Sequence, residues 1–157
     1  MKFNRISEEQ FNQDCPIENS YDNIILPRRA TKESAGYDFF LPYNIIIPAG
    51  SEKIIYTGIN CELDSDKVLM IYPRSGLGFK FKTRLANTVG VIDADYINSD
   101  NEGHIMIKLC NEGPNLLELE AGKAFAQGVI MNYYTVSEED SSTLGERNGG
   151  LGSTSNG

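Results

Sequence analysis

The chain has 157 residues, 40% of them hydrophobic and 23% charged, with a net charge of −8. That is the size of one domain with a real core, and it excludes wholesale disorder and a helical membrane protein. The negative sign also excludes a protein that lives on the phosphate backbone of nucleic acid, but not one that holds a small phosphorylated ligand with a few local cations.

The chain opens on Met1-Lys2-Phe3-Asn4-Arg5 and runs into polar sequence, without a secretory apolar stretch. Ser7-Glu8-Glu9-Gln10 has capping-box spacing and predicts a short helix there. Cys15, Cys61 and Cys110 are too scattered for a disulfide framework or a zinc site. They read as reduced thiols of a cytoplasmic protein. The single histidine, His104, rules out any two-histidine metal motif.

From residue 23 onward the texture is β. Short runs rich in Ile, Val and Tyr at 23–26, 43–47, 53–56, 67–72, 104–109 and 127–134 are punctuated by Gly, Pro, Asn and Asp. Ile105, Ile107 and Leu109 alternate with Met106 and Lys108, the period of a strand with one buried face. Many short strands with close turns predict an all-β barrel or jelly roll. Residues 1–136 form that domain. Residues 137–157, acidic and then Gly/Ser-rich, form an arm that either dangles or orders on a ligand.

Five segments carry chemistry. Ser34-Ala35-Gly36-Tyr37-Asp38 sets an acid after a small-residue turn. Pro73-Arg74-Ser75-Gly76-Leu77-Gly78 puts a guanidinium, a hydroxyl and accessible backbone N–H groups together, a set suited to phosphate oxygens. Lys80, Lys82 and Arg84 follow as the densest basic stretch. Asn87 and Gly90-Val91-Ile92-Asp93-Ala94-Asp95-Tyr96 place acids and an aromatic at the tip of an apolar segment, read as a hairpin. Ala126-Gln127 lies in a late strand, and Arg147-Asn148-Gly149-Gly150-Leu151-Gly152-Ser153-Thr154 is Gly-rich with one cation and two hydroxyls. Singly, each has an ordinary explanation as a turn, a solvated face or a frayed end. Their order along the chain carries the weight.

That order resembles the trimeric deoxyuridine triphosphatase (dUTPase) family, with its five motifs spread from Leu26-Pro27 to Thr154. The resemblance implies a jelly-roll-like β-clip, a homotrimer with active sites between subunits, and a C-terminal arm that closes over them. It implies conversion of dUTP to dUMP and pyrophosphate by water attack on the α-phosphate, which limits uracil in DNA and supplies dUMP for thymidylate synthesis. Asp93 would activate the water. Arg74, Arg147 and Mg²⁺ would offset the triphosphate charge, with Asp38 holding the metal through a bound water. Ser75, Gly76 and Gln127 would bind phosphates, and Arg147, Gly152, Ser153 and Thr154 would cap the γ-phosphate. Asn87, Val91, Ile92 and Met106 would read uracil in a hairpin spanning 89–106, with Tyr96 packed on the deoxyribose.

Three departures from the family pattern stand out. Leu151 replaces a customary Phe over the base. Ala124 replaces a customary Arg, so that cation is either missing or supplied from elsewhere, with Lys123 as a candidate. Residues 97–102 make the link after Tyr96 longer, read as a solvated hairpin tip or else a partner-binding projection. Two other roles stay open: dCTP deaminase on the same fold, although its Ser/Arg-rich segment is missing, and a phage-type derepressor that binds a repressor protein.

Overall fold

Ser7 caps the first helix as its spacing predicts: its Oγ accepts from the Gln10 N–H at 3.1 Å. The helix, α1 (Glu8–Asp14), follows strand β1 (Lys2–Arg5) and buries one residue, Phe11. It stops at Cys15 because Pro16 disfavours helical geometry before it. In this computed structural model residues 1–137 and Gly145 are described. Their strands are β2 (Arg28–Arg29), β3 (Tyr37–Phe40), β4 (Ile45–Ile47), β5 (Glu52–Tyr56), β6 (Ile59–Glu62), β7 (Lys67–Pro73), β8 (Thr83–Leu85), β9 (Gly90–Ile92), β10 (Met106–Asn111), β11 (Leu117–Leu119) and β12 (Ala124–Asn132). A second helix, α2 (Ser75–Phe81), lies between β7 and β8.

The pairings are antiparallel throughout. The largest sheet runs β2-β3-β12-β7-β9, a second β5-β10-β8, and two ribbons join β1 to β6 and β4 to β11. The core lies between the sheets. It joins Phe39, Leu69, Ile71 and Phe125 to Ile55, Leu85, Ile107 and Leu109. This is the jelly-roll-like all-β architecture expected, and among the described residues no helix is long and apolar enough to cross a membrane. The alternation at 105–109 holds: Ile105, Ile107 and Leu109 are buried and Lys108 is exposed.

Four expectations change. The run at 23–26 is not a strand; a 3₁₀ turn at Tyr21–Asn23 leads into irregular chain. The Pro73–Gly78 segment is not a loop but enters α2, a helix that buries none of its own residues. Residues 89–106 are not a hairpin. β9 pairs with β7, β10 pairs with β5 and β8, and a 3₁₀ turn at Ala94–Asn98 bridges the two sheets. The longer link after Tyr96 is not a solvated tip. Ser99 is buried, and Glu102 accepts from the backbone N–H and the hydroxyl of Ser7 at 2.7 and 2.6 Å.

The three cysteines are buried and unbridged, and burial pushes the Cys61 thiol up to about 12. Gly58, between β5 and β6, has φ +69°, and a Cβ there would sit 2.2 Å from Ile24 Cδ1 and 3.1 Å from Phe11 Cδ2. Left-handed backbone and overpacking each cost about 1–3 kcal/mol. Gly58→Ala is therefore expected to destabilise the fold by about 2–4 kcal/mol, read as a lower denaturation midpoint at unchanged slope.

Candidate active site

Two cavities collect the residues singled out in the sequence. The first, about 380 Å³, is lined by Asn87, Gly90, Val91, Ile92, Tyr96 and Met106, with Ile71, Leu85 and Ile105 beneath them. Asn87 is presented by the turn between β8 and β9, where the Thr88 N–H closes onto the Leu85 carbonyl at 3.0 Å. The walls are apolar and the rim offers an amide and backbone groups, which suits a flat heterocycle with a polar edge. Asp93 stands at the end of β9, beside Ile92, where the 3₁₀ turn begins. Its carbonyl accepts from the Tyr96 N–H at 3.1 Å.

The second cavity, about 420 Å³, is polar. Ser34, Gly36, Asp38, Arg74, Ser75 and Gln127 line it, together with Tyr72 and Val129. β12 lies between β3 and β7, with Gln127 opposite both Asp38 and Tyr72. Arg74 Nε lies 3.1 Å from Asp38 Oδ1, and its Nη1 donates to the Ala124 carbonyl at 3.4 Å. The guanidinium is thus aimed by the two strands flanking it while 41% of the Arg74 side chain stays exposed. Gln127 Nε2 donates to the Pro73 carbonyl at 3.2 Å. A Cβ on Gly36 would come within 2.8 Å of Gln127 Oε1, so only glycine lets the amide sit there. A guanidinium, an amide and a hydroxyl around one carboxylate can bind phosphate oxygens and, through water, a hard cation.

The two cavities share no lining residue: β7 gives Ile71 to the first and Tyr72 to the second.

The sequence reading placed most of these residues and missed some. Gly76 has open space around its α-carbon. Lys123 does not line the polar cavity; it lines a separate groove with Ala124, Asn44, Glu118 and Leu119. Instead β2 brings Arg28 beside Asp38, and Arg28 and Arg29 line a groove that shares Ala30 and Asp38 with the polar cavity. The Arg28 guanidinium sits 5.1 Å above the Phe40 ring. The signal was the Arg-Arg pair itself, but its register on β3 was not readable. Lys80 and Lys82 are exposed, and Arg84 pairs with Glu112, so the basic stretch is a solvated face. Arg147, Leu151, Gly152, Ser153 and Thr154 lie outside the described residues.

Comparison with known proteins places this geometry. The dUTPase family model matches residues 22–155. A deoxyuridine 5′-triphosphate nucleotidohydrolase of Lactococcus lactis is 37% identical over 132 residues, covering 83% of this chain and 88% of that protein. The crystal structure of dUTPase from Streptococcus mutans superposes with a TM-score of 0.72 at 34% identity, over 87% of this chain and 99% of that one. A D95N mutant dUTPase from phage phi11 of S. aureus, described with a coordinated structural Mg(II) ion, superposes at 0.68 over 88% and 94% of the two chains. At 19% identity that last likeness speaks for the fold alone.

Proposed function

The chain belongs to the dUTPase family and is a dUTP nucleotidohydrolase, and from that premise we propose that it works on a surface built by neighbouring copies of itself. The observation that carries this is that the two cavities share no lining residue. Arg74, Ser75 and Gln127, the groups suited to phosphates, are absent from the lining of the same copy's apolar cavity. A second copy must bring Arg74, Ser75, Gly76 and Gln127 to the triphosphate. The surface of α2 supports such an assembly: Phe79 is 91% exposed on a helix without a buried residue. A homotrimer, as the family resemblance implies, satisfies the requirement in a closed ring.

In this reading Asn87 and the backbone at Val91, Ile92 and Met106 read the uracil edge. Cytosine is refused because its exchanged donors leave buried groups unpaired. Tyr96 packs on the sugar. Asp93 takes the proton from a water in line with the α-phosphorus, and most of the rate comes from placing that water. Arg74, aimed by Asp38, offsets charge on the phosphates, with Arg28 and Arg29 nearby. Arg147, Leu151, Gly152, Ser153 and Thr154 complete the enclosure from the C-terminal arm.

Mg²⁺ fits the polar cavity. Asp38 is a single half-buried carboxylate beside an amide and a hydroxyl, and among the described residues no three acidic, His or Cys side chains converge. Mg²⁺ prefers few protein ligands and keeps its waters, so Asp38 would hold it through one of them. When bound, it supplies positive charge to the phosphate oxygens.

The deaminase alternative is not favoured, because the relatives carry the nucleotidohydrolase name. The repressor-binding role entered through the 98–102 link, whose Glu102 is engaged within the chain. Pyrophosphate release assayed with dUTP, dCTP, dTTP and UTP, each with and without Mg²⁺, tests the reading. Turnover is expected for dUTP, with Mg²⁺ and not for the other three. Ammonia release from dCTP would overturn it.

A further inference from the structure

Tyr96 lines the apolar cavity, and its hydroxyl is engaged within the chain. The hydroxyl donates to the His104 carbonyl at 2.9 Å and accepts from the Asn101 amide at 3.2 Å. The His104 imidazole is fully buried and held at both nitrogens. Nε2 accepts from the Gly58 N–H at 2.9 Å, so the proton of the neutral ring sits on Nδ1 and is donated to Asp14 Oδ2 at 2.6 Å. Asp14 ends α1, and the start of α1 is tied at Ser7 to Glu102. Glu102 and His104 therefore grip the two ends of one short helix, and His104, together with Asn101, also fixes the tyrosine hydroxyl.

We propose that Asp14 and His104 are positioning residues for nucleoside binding, through which docked α1 holds Tyr96 against the sugar side of the cavity. This rests on the reading of that cavity as the nucleoside pocket. Neither residue touches substrate, so their effect falls on ground-state and transition-state binding alike. KM moves and kcat does not.

The arrangement also senses protons. Burial holds the imidazole below its ordinary pKa, against the opposing pull of Asp14 on α1 and Glu102 on the turn; Tyr56 on β5 packs against the ring. Protonating Nε2 would set its N–H against the Gly58 N–H. The neutral form is therefore the native one, and its contribution is complete above about pH 6.5 and lost as the pH falls through the lower, folded-state value.

Steady-state dUTP hydrolysis by the full chain and by Asp14→Ala and Asp14→Asn tests the proposal, with each variant's melting transition recorded beside it. Asp14→Ala leaves the Nδ1 proton without its acceptor and is expected to raise KM on the order of tenfold, with kcat within about twofold. Asp14→Asn keeps an acceptor oxygen and restores KM near pH 8. It removes the negative charge that favours imidazolium, so the acid limb of kcat/KM moves to lower pH. Should Asp14→Ala fail to fold, the Asn variant decides alone: a displaced limb supports the proposal and an unmoved one overturns it. A folded Asp14→Ala with wild-type KM, or with KM and kcat falling together, also overturns it. If the wild-type chain does not hydrolyse dUTP, the nucleoside-pocket reading has failed first, which is a different result.

Discussion

Asp93→Asn is expected to lower kcat for dUTP by about 10²–10⁴-fold, the usual worth of a general base, while a non-hydrolysable dUTP analogue binds within a few-fold of wild type. The substitution is close to isosteric. It also keeps the backbone carbonyl of residue 93 that accepts from the Tyr96 N–H at the start of the 3₁₀ turn. What changes is the ability to accept a proton from water. The residual rate reports how much comes from positioning alone. Undiminished turnover would remove Asp93 from the role. Lost analogue binding would instead make it a ligand-binding group.

Two dead chains are expected to restore each other. Arg74→Ala removes the exposed cation that Asp38 aims into the polar cavity, and Asp93→Asn removes the base beside the apolar one. If each site draws Asp93 from one copy and Arg74 from another, random assembly of equal amounts leaves about a quarter of the sites with both groups intact. Co-expressed or reassembled mixtures should then show about a quarter of wild-type activity, from parents that are each nearly inactive. A site completed within one chain predicts no recovery at all. The experiment reads out the inference from Ile71 and Tyr72 without a structure of the assembly.

The fold class was legible because short apolar alternation and turn residues are local signals, and so was the capped helix at Ser7. The expected site residues sort into two groups: Asn87, Val91, Ile92, Tyr96 and Met106 meet at one cavity, and Asp38, Arg74, Ser75 and Gln127, from three separate segments, meet at another. Register was not legible. The Gly90–Tyr96 segment looks like half of a hairpin, but Ile71 offers β9 a partner across the sheet, and Gly90 is small enough to lie against it: a Cβ there would be 3.1 Å from Ile71 Cβ. Arg28 has no local signature of its register in the sequence, and only its pairing with Asp38 places it beside the polar cavity. Lys123, one residue before the customary arginine position, precedes β12 and shares a groove with Ala124 that is separate from the polar cavity. The partnership of Asp14 with His104 spans 90 positions and has no local signature.

The clasp of Ser7 by Glu102 carries a historical implication. The amino-terminal helix and the link after Tyr96 depend on each other, since the turn's acid finds its donors on the helix cap and the helix's last acid finds its imidazole on the turn. Shedding either one strands charged or buried polar groups on the other. A lineage would therefore keep or discard them as a pair, and a deletion confined to one half leaves a poorer protein than removing both.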